Sequence, residues 1–143
     1  MKKNILLFMP ILLLTVLKTQ AQGTVQVTVN EVENGKGKLI VMLFNEEEGF
    51  PMEKAKAYKE ANLEAQVGKM VHTFSNLPFD TYAVSIVHDE NENGEVDRNF
   101  VGFPKEKVGA SFQKGLGKPS FKKSQFTISE TQKTISLDMQ FIN

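Results

Sequence analysis

Apolar and polar positions alternate with a period of two along much of this chain, and that period belongs to β-strands. Residues 24–29 place Val25, Val27 and Val29 on one face and Thr24, Gln26 and Thr28 on the other, as in a half-buried strand. Residues 38–44 (KLIVMLF) are apolar on both faces and predict a central strand covered on two sides. Asn34-Gly35 lies between them and suits the positive φ angles of a tight turn, so the two segments are expected to form a hairpin.

The alternation fails over residues 51–61, where helix formers follow Pro51. That composition predicts a short surface helix of about two to three turns across a sheet edge. Residues 69–74 read as a third strand, with a turn over 76–80. Residues 81–88 give the strongest strand, with Tyr82, Val84 and Ile86 on one face and Ala83, Ser85 and Val87 on the other. Two late strands are expected at 124–129 and 134–142, the last alternating through Ile135, Leu137, Met139 and Phe141. Residues 99–118 carry Gly102, Gly109, Gly115 and Gly117 and read as a long irregular loop. The class is mainly β: an antiparallel β-sandwich, immunoglobulin-like or prealbumin-like, of about six to seven strands with one short surface helix.

The first residues follow a different pattern. Lys2 and Lys3 precede an apolar run over 5–17, and Thr19-Gln20-Ala21 closes it with a small residue. This is the layout of a secretory signal peptide. The run has 13 residues and ends at Lys18, short of the about 20 that a membrane anchor needs. The expected organisation is a signal peptide at 1–21 and a single β-sandwich domain at 22–143, exported to the periplasm, cell surface or medium. Removing Lys2, Lys3 and Lys18 leaves 14 of the 17 bases against 17 acids, a net charge of −3. So small a charge gives no reason to expect nucleic-acid binding. With no cysteine in the chain, disulfides, thiolate metal sites and a cysteine nucleophile are excluded.

One segment carries candidate chemistry. In Asp89-Glu90-Asn91-Glu92-Asn93-Gly94-Glu95-Val96-Asp97, oxygen-bearing side chains fall at loop positions 1, 3, 5 and 9, with glycine at 6. Glu95 occupies position 7, whose backbone carbonyl can turn inward. This spacing is that of the first nine positions of an EF-hand calcium loop. Calcium takes several hard oxygens in a flexible shell, and glycine permits the turn that lets alternate side chains converge. Position 12, where a bidentate Glu belongs, is Phe100, so Asn99, water or a distant carboxylate such as Glu106 would have to complete the shell. The other reading of the segment is a polar Asn/Gly-rich turn that binds nothing.

The loop holds five acids and no base, whereas residues 98–123 hold seven bases and one acid, Glu106. The basic stretch is either a surface for an anionic polymer or lipid headgroup, or a solvated face that neutralises its neighbours. His72 and His88 are the only histidines, and zinc catalysis commonly takes three protein ligands. No serine elbow or glycine-rich phosphate motif accompanies them.

Several of these segments, in order, resemble an exported bacterial family known as domain of unknown function 2141. They are Leu77-Pro78, Tyr82-Ala83-Val84, the 88–97 segment, Gly102-Phe103-Pro104-Lys105-Glu106, Gly109-Ala110-Ser111 and Pro119-Ser120-Phe121. The sequence departs at Asp80, where the family usually has glycine before the tyrosine strand. The resemblance implies export, a small β-sandwich and no established activity. The functional expectation is a non-catalytic envelope module, calcium-stabilised through Asp89, Asn91, Asn93, Glu95 and Asp97, that binds an unidentified ligand or partner. The alternatives are an envelope hydrolase that acts on a polysaccharide through the same carboxylates, and a purely structural accessory domain.

Overall fold

The structure is a computed structural model and describes residues 22–114 and 117–142. The signal-peptide segment lies outside the described residues. Eight strands are present among them: β1 (Gln22–Val32), β2 (Lys38–Phe44), β3 (Lys59–Glu64), β4 (Gly68–Pro78), β5 (Thr81–Asp89), β6 (Lys107–Ala110), β7 (Phe126–Thr127) and β8 (Thr134–Met139). They form a three-stranded sheet ordered β4-β1-β8 and a second sheet ordered β3-β2-β5-β6, with β7 also on β5. A single helical turn, α1 (Phe121–Ser124), precedes β7.

The alternating residues meet where the sheets face each other. Val25, Val27 and Val29 of β1, Phe74 and Leu77 of β4, and Leu137 and Met139 of β8 form one cluster with Leu39, Val41 and Leu43 of β2 and Tyr82, Val84 and Ile86 of β5. The doubly apolar strand β2 also buries its other face. Ile40, Met42 and Phe44 join Val87 in a second cluster, covered by Phe50, Ala57, Val96, Val108 and Phe121. The Phe44 and Phe50 rings meet edge-on at 5.3 Å, and Phe50 and Phe121 at 5.9 Å. Ser85 reaches the same side and donates its hydroxyl to the Pro51 carbonyl at 2.7 Å. The connecting segments are thus pinned onto the sheet's outer face.

Four sequence expectations are corrected. β1 and β2 are not a hairpin: β1 pairs antiparallel with β4 and parallel with β8, while β2 pairs with β3 and β5. The chain between them crosses from one sheet to the other, because β2 needs apolar cover on both faces. The expected helix over 51–61 is only a 3-10 turn at Lys54–Lys56, and its last three residues belong to strand β3. Six backbone pairs along the edge of β2 outweigh the helix propensity of a Lys/Glu/Ala segment. The long loop contains β6, paired with β5. There Gly109 is required by space, since a Cβ would lie 2.4 Å from the Gln140 carbonyl oxygen. The expected strand over 124–129 is reduced to two residues behind α1.

Both sheets and both apolar clusters lie within residues 22–142, so this segment holds the whole described fold. Leu137 is 3% exposed, and Leu137→Ala is expected to cost about 2–5 kcal/mol in urea unfolding. Val71→Thr, at an exposed site on β4, should stay within about 0.5 kcal/mol.

Candidate functional site

Strand β5 ends at Asp89, and everything distinctive in the polar surface follows from what is placed opposite that residue. β5 and β6 run antiparallel with Val87 opposite Val108 and His88 opposite Lys107. One step further along this register, Glu106 faces Asp89, and residues directly opposite in an antiparallel pair share a face. Asp89 is 1% exposed. Its Oδ2 accepts the Gly94 N–H at 2.9 Å, while its Oδ1 is buried with no hydrogen-bond partner. Glu106 accepts the Asp97 N–H through Oε2 at 3.3 Å, and its Oε1 is likewise buried and unpartnered.

The 89–97 loop closes through its own side chains. Asn91 Oδ1 accepts the Asn93 N–H and Asn93 Oδ1 accepts the Glu95 N–H, two successive Asx turns. The carboxamide nitrogens point the other way: Asn91 Nδ2 donates to Asp97 Oδ2 at 2.6 Å and Asn93 Nδ2 to Asp97 Oδ1 at 2.9 Å. Gly94 takes φ 75°, the left-handed conformation that the spacing anticipates. Asp89, Asn91, Asn93 and Asp97 therefore come together, joined by Glu106. Asn99, the other protein residue considered for the shell, is used elsewhere: its Oδ1 accepts the Val101 and Phe103 N–H groups. Among the described residues, no three Asp, Glu or His side chains already stand as a formed metal-binding set.

Burial raises the Glu106 carboxyl from 4.5 to about 7, and the neighbouring charges of Asp89 and Asp97 push it the same way. The hydrogen bond from the Asp97 N–H opposes this more strongly than either charge promotes it, and a side-chain hydrogen bond of the protonated group with Asp89 adds to the rise. His88 is fully buried, with Nε2 2.8 Å from the Lys36 carbonyl oxygen and its ring stacked near Phe141. It is a structural histidine that ties the 33–37 turn to β5.

Lys107 pairs with Glu33, and no base of the 98–123 stretch pairs with an acid of the 89–97 loop among the described residues. Arg98 and Lys118 instead border an open cavity of about 640 Å³, whose lining includes Val101, Phe103, Glu106 and Val108. Sequence reasoning did not find this cavity, because its walls come from segments far apart in the chain, around residues 51–52, 98–108, 117–119 and 142.

Two sheets closed on one core, with an acidic loop at the end of a central strand, define an all-β sandwich domain. The chain belongs to the bacterial family DUF2141, described as an uncharacterized protein conserved in bacteria, whose model matches residues 27–136. Neither curated proteins nor solved structures yield a match to it. Among the described residues, no helix is long and apolar enough to cross a membrane.

The sign of the pH response follows from Glu106. In the unfolded chain its carboxyl ionises near 4.5, and in the folded chain near 7. Between these values the folded state holds more of the proton, so stability in chelator falls as pH rises through that window. Urea unfolding from pH 4 to 8 should show this fall, and Glu106→Gln should flatten it.

Proposed function

We propose that this chain is an exported, non-catalytic β-sandwich module whose 89–106 segment binds calcium, and that the module engages a ligand or partner at the cell envelope. The observation that carries the reading is the buried, unpartnered Oδ1 of Asp89 opposite the equally unpartnered Oε1 of Glu106. Two carboxylates held face to face out of water call for a proton or a cation between them. Glu106 supplies the carboxylate that position 12 of the loop lacks. Asp89, Asn91, Asn93 and Asp97 give side-chain oxygens and Glu95 its carbonyl. For a cation to enter, the Asn91 and Asn93 carboxamides must turn their oxygens inward and release Asp97. That rearrangement works against tight binding, and a dissociation constant of about 10⁻⁴–10⁻³ M fits such a site. Export rests on the pattern of residues 1–21, and a site this weak is useful only where calcium is abundant.

The second reading, an envelope hydrolase acting on a polysaccharide, draws on one observation. Glu106 borders the cavity and keeps its proton near neutrality beside ionisable neighbours, as a general acid must. Turnover of a polysaccharide panel that persists in chelator and vanishes in Glu106→Gln would favour this reading over the binding module.

A thermal melt of residues 22–143 in EDTA, then in rising calcium, tests the first reading. At tenfold excess over the dissociation constant, calcium adds about 1.4 kcal/mol, a rise of a few degrees for a domain of this size. The rise should disappear in Asp97→Asn and Glu106→Gln, neither of which empties the core. A flat response in the wild-type chain would reduce the loop to a polar turn.

A further inference from the structure

The loop between the acidic segment and β6 exposes its apolar side chains in a way that water does not favour. Phe100 is fully exposed, Phe103 is 68% exposed and Val101 61% exposed, three large apolar groups within four residues. They are not loose. Arg98 and Pro104 form an antiparallel bridge, and Lys105 donates its N–H to the Asp97 carbonyl. At the tip, Asn99 donates its N–H to the Phe103 carbonyl at 2.8 Å, and the Asn99 carbonyl accepts the Gly102 N–H at 2.9 Å. The Asn99 side chain accepts the Val101 and Phe103 N–H groups at 3.1 and 3.0 Å. Gly102 takes φ 87° to close the turn. The tip therefore satisfies these N–H groups internally while its side chains point outward. Four N–H groups paired within the tip lower the cost of moving it out of water.

The base of this finger is cationic. Arg98 and Lys105 stand exposed on its two arms, and Lys118 borders the adjoining cavity. None of the three is in an ion pair among the described residues. An apolar tip above unpaired bases matches the profile of an anionic lipid surface, acyl chains beneath negative headgroups. A soluble anionic polymer would use the bases but not the phenylalanines.

We propose that the 99–103 finger docks this domain onto an anionic lipid surface, and that calcium in the neighbouring loop permits it. The second part rests on the calcium reading above. Five acids lie immediately before the finger and repel an anionic surface, and a bound divalent cation reduces that repulsion.

The test is co-sedimentation of residues 22–143 with vesicles of phosphatidylcholine, with and without phosphatidylglycerol, in calcium or EDTA. The expected result is binding to the phosphatidylglycerol vesicles in calcium and little binding in EDTA or to phosphatidylcholine alone. Phe100→Ser with Phe103→Ser should abolish sedimentation while the calcium-dependent melting shift persists. Arg98→Ala with Lys105→Ala should weaken binding by roughly 25-fold, about fivefold for each base. A calcium-dependent melting shift without vesicle binding overturns the finger and leaves the calcium site standing. Vesicle binding that is equal in calcium and EDTA, and lost with the phenylalanines, overturns the calcium coupling. Binding that survives the phenylalanine substitutions and is displaced by dextran sulfate overturns lipid docking in favour of an anionic polymer.

Discussion

Two carboxyl groups set opposite each other across an antiparallel strand pair, and shielded from water, cannot both carry charge without help. That constraint at Asp89 and Glu106 governs the polar end of this domain. It exists because β5 is central in its sheet, buried on both faces and bordered by β2 on one side and β6 on the other. The pairing that completes the core is the same pairing that creates the electrostatic problem. In the absence of a cation, the remedy available is a proton on Glu106, whose carboxyl is held at about 7.

The loop's hydrogen bonds serve as a second remedy. Asp97 is solvated by two carboxamide N–H donors in place of water, and Asp89 by the Gly94 amide. Asparagine suits this role because its side chain offers both a donor and an acceptor and can present either by turning its terminal amide. Under the calcium reading proposed above, a loop built from Asp and Asn at alternate positions has two self-consistent states. In one, amide nitrogens face the carboxylates; in the other, amide oxygens join the carboxylates around a cation. An all-Asp loop would lack the first state and carry more uncompensated charge.

What the sequence revealed and what it concealed divide along the range of the interactions. Strands β1 and β8 were legible because each alternates apolar and polar residues against a core, and β5 because it is a mostly apolar run rich in β-branched residues; both patterns are local. Which strands pair was not. The parallel pairing of β1 with β8 joins opposite ends of the domain, and nothing in residues 24–29 names a partner. The end of the 51–61 segment, expected as helix, becomes part of strand β3 because β2 offers an edge. The site divides the same way. Asp89, Asn91, Asn93, Glu95 and Asp97 were visible through spacing inside one turn. Glu106 could be named only as one of several ways to complete the shell, since its place beside Asp89 depends on a strand register hidden in a glycine-bearing stretch.

The same register explains why the acidic loop and the apolar finger are adjacent. The chain leaves β5 at Asp89 and must return at Lys107 to pair with His88. The 17 residues between them form two successive turns, one closed by carboxamides around Asp97 and the other by Asn99. Asp97 belongs to both: its side chain caps the first turn, and its backbone accepts the Lys105 N–H at the root of the second. A change in how Asp97 is held is therefore felt at the base of the finger through one residue, with no long pathway required. The fold thus places an acidic turn and an exposed apolar turn in series between two paired strands, with Asp97 shared by both.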